Sequence, residues 1–314
     1  MSRRPWNIVL PVVFALVSGR LALESVLDFR SVGSHASIYT DAARAWLAGG
    51  DPWQVGPPAA IFAGPPPMLL PFVPFVGLPL DITRLVWVGG SLALAIWTLR
   101  RIGLPGYWLA FPPLFQAIQL GHPEVLVLWL LVSGGVASGL AAVIKPYAGF
   151  ALLAERRWAA ITLGLLVVAV TAAFLPWPRF VEDFPRISAT LAEQSHGDST
   201  FGVPLAMAVA VLALASLGVR RGLWLAAPVL WPSAQPIYKV TAIPWISPVL
   251  ALFWAVPIPG ATLAGLLAEV ALLQAARRWH LPAWLESGTQ PAGLARAPES
   301  PVPLSEPARL AARA

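Results

Sequence analysis

Two groups of residues in this chain have the types and spacing to do chemistry. A polar stretch from Asp28 to Trp53, DFRSVGSHASIYTDAARAWLAGGDPW, places His35, Tyr39, Asp41 and Arg44 close together. An imidazole or a carboxylate can take the proton of an attacking hydroxyl, so His35, Asp41 and Asp28 are candidate general bases. The second group centres on Lys145, in the otherwise apolar run AAVIKPYAGF. An ammonium in such surroundings is expensive to keep and suits the binding of an anion as a point charge. Lys239, directly after Tyr238, repeats the pattern. His122 and Glu124, in the turn Gly121-His122-Pro123-Glu124, could hydrogen-bond polar substrate groups or simply cap a helix. Each candidate also has a plainer reading: Asp41 can pair with Arg44 or Arg30, and Lys145 can snorkel beside Tyr147 to the membrane interface. Glu193, His196 and Asp198 match no metal-ligand spacing and read as a solvated loop, so neither a metal nor a cofactor is expected.

These residues must be positioned by membrane elements. Hydrophobic residues make up 57% of the chain and charged ones 11%, about half the charged share usual in soluble proteins. Residues 102–123, 125–144, 158–178, 199–219, 222–238 and 240–268 contain no Asp, Glu, Lys or Arg. Windows of that length match the apolar thickness of a bilayer. The net charge of +6 comes largely from pairs at the ends of apolar runs, including Arg3-Arg4, Arg100-Arg101, Arg156-Arg157 and Arg220-Arg221. Such pairs mark cytoplasmic loops, and without an aromatic-interleaved basic patch they exclude a nucleic-acid partner. With no cysteine, disulfides and thiol catalysis are excluded as well.

The expected fold is an all-α polytopic membrane protein with about eight to ten transmembrane or half-membrane helices. A first span over 6–23 leads into an extracytoplasmic loop, 28–53. In it Tyr39, Ala42, Ala43, Trp46 and Leu47 form one apolar stripe of a surface helix, stopped by Gly49-Gly50-Asp51-Pro52. The proline-rich stretch 54–80 predicts a broken, half-inserted element. Residues 85–99, 104–120 and 125–139 read as further spans, and 139–154 as two half-helices meeting at Lys145-Pro146-Tyr147. A span over 158–177 precedes a second polar external loop, 178–200, and 201–219 returns. The topology beyond 222 stays open on sequence alone, because Arg277-Arg278 would fall on the outside. The membrane domain covers 1–280, and 281–314 reads as a disordered tail.

The run Ile38–Trp53, IYTDAARAWLAGGDPW, resembles the first-loop signature of glycosyltransferase family 87, a family of C-type membrane glycosyltransferases. Gly64-Pro65-Pro66-Pro67, Leu120-Gly121-His122 and Ala141–Tyr147 before Glu155-Arg156-Arg157-Trp158 agree in order and spacing. The resemblance covers roughly residues 28–250 and implies a GT-C-like helix bundle with its active site on the extracytoplasmic face of the cell membrane. It implies a polyprenyl-phosphate sugar, by similarity to mannosyltransferases a mannose, as donor, and a lipid or glycan as acceptor. A base in the first loop would deprotonate the acceptor, which attacks the anomeric carbon with inversion. Lys145 and Lys239 would bind the donor phosphate, and Tyr39, Arg44, His122, Tyr147 and Tyr238 would contact substrate. The chain departs from the family pattern at two positions. His35 stands where the family has an aspartate, and Ile237-Tyr238 where a His-Tyr pair is common. A catalytically inactive lipid-binding homologue and a transporter or lipid translocator are the competing readings; broken helices with isolated charges also suit the latter.

Overall fold

The computed structural model describes residues 5–27, 31–56, 61–194, 198–232, 234–279, 281–282 and 285. Asp28, Arg30 and His196 lie outside them, as does nearly all of the tail expected over 281–314. The described residues form helices joined by turns, with no strand among them. In chain order they are α1 (Trp6–Leu27), α2 (Ser34–Leu47), α3 (Leu80–Arg101), α4 (Pro112–Leu120), α5 (Glu124–Ser133), α6 (Gly139–Ile144) and α7 (Gly149–Ala154). Then come α8 (Trp158–Thr171), α9 (Trp177–Gln194), α10 (Pro204–Ser216), α11 (Val219–Leu230), α12 (Pro248–Trp254) and α13 (Ala261–Arg278). This is an all-α membrane protein. Among the described residues, α1 and α3 are long and apolar enough to cross a bilayer. The pair α4 and α5, bent by 114° between them, makes a third if taken as one span.

Proline decides where the remaining apolar segments break. The stretch expected to be half-inserted contains a 3-10 helix over Pro66–Phe75, with Pro71 and Pro74 inside it, and a second runs over Pro236–Trp245 around Pro244. A pyrrolidine ring supplies no amide donor and crowds the preceding turn, which breaks a regular α-helix. At Lys145 the backbone is extended (φ −135°, ψ 103°), as the residue before a proline prefers, so α6 and α7 meet there as two short pieces. The expected spans over 158–177 and 201–219 are shorter than anticipated: α8 has 14 residues and α10 has 13. Such helices are roughly 20 Å long, less than the apolar thickness of a bilayer.

The loop expected over 178–200 is mostly helix α9. Phe180, Phe184, Ile187 and Leu191 recur at helical spacing along it, an apolar stripe in which Ile187 is buried and Phe180 and Leu191 are half-buried. Arg179 donates to the Gly50 carbonyl at 2.9 Å and Arg186 to that of Trp53 at 3.0 Å, fastening α9 to the turn after α2.

The start of α2 packs on the α4–α5 bend through two glycines. The Gly33 amide donates to the Gln119 carbonyl at 2.8 Å, with Gly33 at φ +68°. Gly121 has φ +70°, and a Cβ there would stand 2.9 Å from Trp87 and 3.1 Å from the Ala36 methyl. Only a residue without a side chain permits both the left-handed backbone and this approach. Tyr39 then packs against Phe72 and Phe62, with ring centroids 4.9 and 5.8 Å away, which locks α2 to the proline-rich segment.

Arg100-Arg101 lie away from α2. Arg84 donates to Ser37 of α2 at 2.9 Å, whereas Arg100 and Arg101 end the same helix, roughly 24 Å farther along its axis. Arg220 binds Glu155 through two nitrogens, at 3.0 and 2.6 Å, which joins the Arg156-Arg157 and Arg220-Arg221 corners.

Candidate active site

The site is built around Glu124, the first residue of α5, which is wholly buried. The 114° bend aims this residue into the interior instead of leaving it at the end of a straight span. Its Oε1 accepts the Tyr147 hydroxyl at 2.9 Å and faces the Lys145 ammonium at 3.1 Å; its Oε2 meets His122 Nδ1. A buried carboxylate with three donors, one of them charged, is held ionised, and an ionised carboxylate only accepts. Nδ1 of His122 therefore carries the proton that it shares with Glu124, and its Nε2 presents a lone pair. Tyr39 Oη lies 3.4 Å from that nitrogen.

His35 packs edge-on against the His122 ring, with centroids 4.4 Å apart at 78°. Its Nδ1 is buried and has no hydrogen-bond partner among the described residues. Burial first, then the neighbouring His122 and Lys145, push the His35 imidazole down to about 3 against the opposing pull of Glu124. It is therefore neutral across the physiological range, and it is a weaker base than an uncharged imidazole in water. Burial also holds the Tyr39 phenol above its ordinary range, so that group stays protonated. On the other side of Lys145, its ammonium lies 5.5 Å from the centre of the Tyr238 ring, and Tyr238 stacks on Tyr147 at 4.5 Å.

Two small cavities meet at Lys145 and Tyr238. One, of about 50 Å³, is bordered by His35, Tyr39, His122 and Gln235. The other, of about 100 Å³, is bordered by Tyr147, Trp231 and the apolar stripe of α9. Ala63, Gly64 and Leu191 belong to both walls. The first chamber is polar, the second largely apolar, and the cation stands at their junction.

The fold thus brings together His35, Tyr39, His122, Lys145, Tyr147 and Tyr238 from separate parts of the sequence. It does not bring in Asp41 or Arg44. These two pair with each other on an outer face of α2, with side chains 42% and 49% exposed, and Arg44 also donates to the Val76 carbonyl at 3.2 Å. Lys239 borders neither chamber. It is buried with Nζ 3.4 Å from Asp198, which also accepts from Thr262 at 3.2 Å. Asp198 is accordingly part of a buried ion pair and not of a solvated loop. Among the described residues no three histidines or carboxylates converge to hold a metal. Sequence reasoning gave Glu124 no central role and missed the α9 stripe as a wall. The first left only a lone carboxylate between apolar runs as a signal; the second left a helical period within a charged segment.

The profile of glycosyltransferase family 87 matches residues 62–267. The chain belongs to glycosyltransferase family 87. No curated protein and no solved structure matches it. The matched stretch includes His122, Glu124, Lys145, Tyr147 and Tyr238, whereas His35 and Tyr39 precede it. The arrangement offers an imidazole oriented by a buried carboxylate and a buried cation beside the same carboxylate, groups able in general to accept a proton and to bind an anion.

Proposed function

We propose that this protein transfers a hexose, mannose by its family resemblance, from a polyprenyl phosphate to a hydroxyl of a lipid or glycan acceptor. The observation that carries the reading is Lys145 standing where a polar chamber meets an apolar one. A polyprenyl-phosphate sugar has the same order of chemistry: polar sugar, phosphate, apolar chain. In this reading the sugar and the acceptor hydroxyl occupy the chamber of His35, Tyr39 and His122. The phosphate lies on Lys145, and the first prenyl units lie along Phe180, Phe184, Ile187 and Leu191.

His122 acts as the base, because Glu124 fixes its tautomer and leaves Nε2 unprotonated; the Tyr39 hydroxyl, which donates to Nε2 at 3.4 Å, gives way there to the acceptor hydroxyl. The acceptor proton passes to Nε2 as the oxygen bonds to the anomeric carbon. The bond from that carbon to the phosphate oxygen breaks on the opposite side, and polyprenyl phosphate departs with the electron pair, giving inversion. Lys145 stabilises the charge that grows on the leaving group. His35, with its unpartnered nitrogen, orients the acceptor hydroxyl, and Tyr147 and Tyr238 support the phosphate end. Arg100-Arg101, at the end of α3 far from α2, favour a cytoplasmic location for that end. The chambers then open on the extracytoplasmic face of a multi-pass protein in the cell membrane.

The test is transfer from radiolabelled polyprenyl-phosphate mannose to membrane-lipid acceptors by the purified protein in nanodiscs. His122→Ala is expected to lose at least about a hundredfold in turnover, the usual scale of general-base catalysis. Lys145→Met should lose donor binding and transfer together. Donor binding by the wild type without any transfer would favour a lipid-binding homologue. Full activity of His122→Ala would remove that residue from the mechanism.

A further inference from the structure

Lys145 cannot satisfy two anions equally. Its ammonium already lies 3.1 Å from Glu124, and that carboxylate is shared with Tyr147 and His122. Lys145 and Glu124 are both buried, so each depends on the other for charge compensation. An incoming phosphate in the adjoining chamber competes with Glu124 for the same ammonium.

We propose that Glu124 is a positioning residue that couples the two chambers: phosphate binding draws Lys145 away from it, and the carboxylate then transfers its hydrogen bonding to His122. The deepening rests on the function proposed above, in which an anionic phosphate occupies the site. Before phosphate arrives, Glu124 divides its charge between a cation and an imidazole N–H. Once Lys145 turns to the phosphate, the bond from His122 Nδ1 to Glu124 strengthens, and Nε2 becomes the better proton acceptor. The base is thus readied only when the leaving group is in place. Water entering an empty polar chamber meets an imidazole whose orienting carboxylate is still occupied by Lys145. No covalent step is added, since the coupling consists of one exchange of hydrogen-bond partners.

The coupling gives an unusual sign to the effect of a mutation. A residue that merely holds the site together weakens ligand binding when it is altered. A competitor for the binding cation strengthens it. Glu124→Gln, nearly isosteric, should therefore tighten the binding of dodecyl phosphate, measured by calorimetry in nanodiscs, by roughly ten- to hundredfold, the scale of one charge-assisted hydrogen bond. The same variant should turn over more slowly, because the amide no longer orients His122. Unchanged or weaker dodecyl phosphate binding by folded Glu124→Gln would overturn the proposal. Absence of binding even by the wild type would overturn both this coupling and the phosphate reading of the site. Binding that requires Lys145 but ignores Glu124→Gln would overturn the coupling alone.

A wild-type measurement guards against a variant that does not fold. The chain has four histidines, so the ring N–H signal of His122 can be assigned by nuclear magnetic resonance with His122→Gln as the reference. Saturating dodecyl phosphate should move that signal downfield, and dodecyl maltoside, which has no phosphate, should not. A His122 signal indifferent to dodecyl phosphate would refute the exchange of partners.

Discussion

Replacing Gly121 by alanine tests whether the bend between α4 and α5 builds the site. Gly121 has φ +70°, and an added methyl would stand 2.9 Å from Cδ1 of Trp87 and 3.1 Å from the Ala36 methyl. An L-residue in the left-handed region costs about 1–2 kcal/mol. Relieving two contacts this short adds a comparable amount of overpacking, about 1–2 kcal/mol. The Gly121→Ala variant should therefore be destabilised by about 2–4 kcal/mol in all, and Ala36, one residue from His35, should be pushed away from the bend. The assay pairs urea unfolding in mixed micelles with transfer activity below the unfolding transition. Activity should fall further than the unfolded fraction explains, because separating His35 from His122 opens the polar chamber. Gly106→Ala is the control, since its added methyl would meet nothing within 4 Å. A Gly121→Ala protein within about 0.5 kcal/mol of wild type, the ordinary range for a substitution away from special features, and fully active, would refute the argument.

Asp41→Asn should leave transfer and stability nearly unchanged, since its exposed pair with Arg44 is worth less than about 1 kcal/mol; a large loss of turnover, read in the same transfer assay, would return Asp41 to the list of bases. Phe184→Ser should weaken binding of long-chain polyprenyl phosphates more than that of short-chain ones, because Phe184 borders the apolar chamber while remaining 54% exposed, with little effect on the unfolding midpoint. The acid side of stability carries a signature of His35. Its folded value, about 3, lies below the ordinary 6.5, so between them the unfolded chain binds a proton that the folded one refuses. This contribution is complete above about pH 6.5 and is lost as pH falls toward 3, so His35→Gln should flatten the decline in unfolding temperature between pH 6.5 and 4.5.

Much of the protein is legible in its sequence, and for a clear reason. Bilayer and helix impose periods and lengths that composition alone reveals, so the all-α membrane fold, the presence of a helix after α1 and the break at Lys145-Pro146-Tyr147 could all be read from residue types. Lys145 could be singled out because an isolated ammonium in an apolar run has no cheap explanation. The sequence also contained the wrong emphasis. Asp41 and Arg44 stand in the same short window as His35 and Tyr39, but the helical turn puts them on another face of α2. Lys239 adjoins Tyr238, yet it is neutralised by Asp198, a residue whose burial no local pattern signals.

What only the tertiary structure decided is which distant groups share one charge. Glu124 gains its place from a 114° bend, from two glycines that let α2 approach, and from an extended residue before a proline that swings Lys145 inward. Electrostatic partnership depends on distance and burial, and both are set by packing between segments far apart in the chain. Residue types thus named the chemistry available to this glycosyltransferase, and the close approach of α2, α5 and the Lys145 turn decided which of those residues can act together.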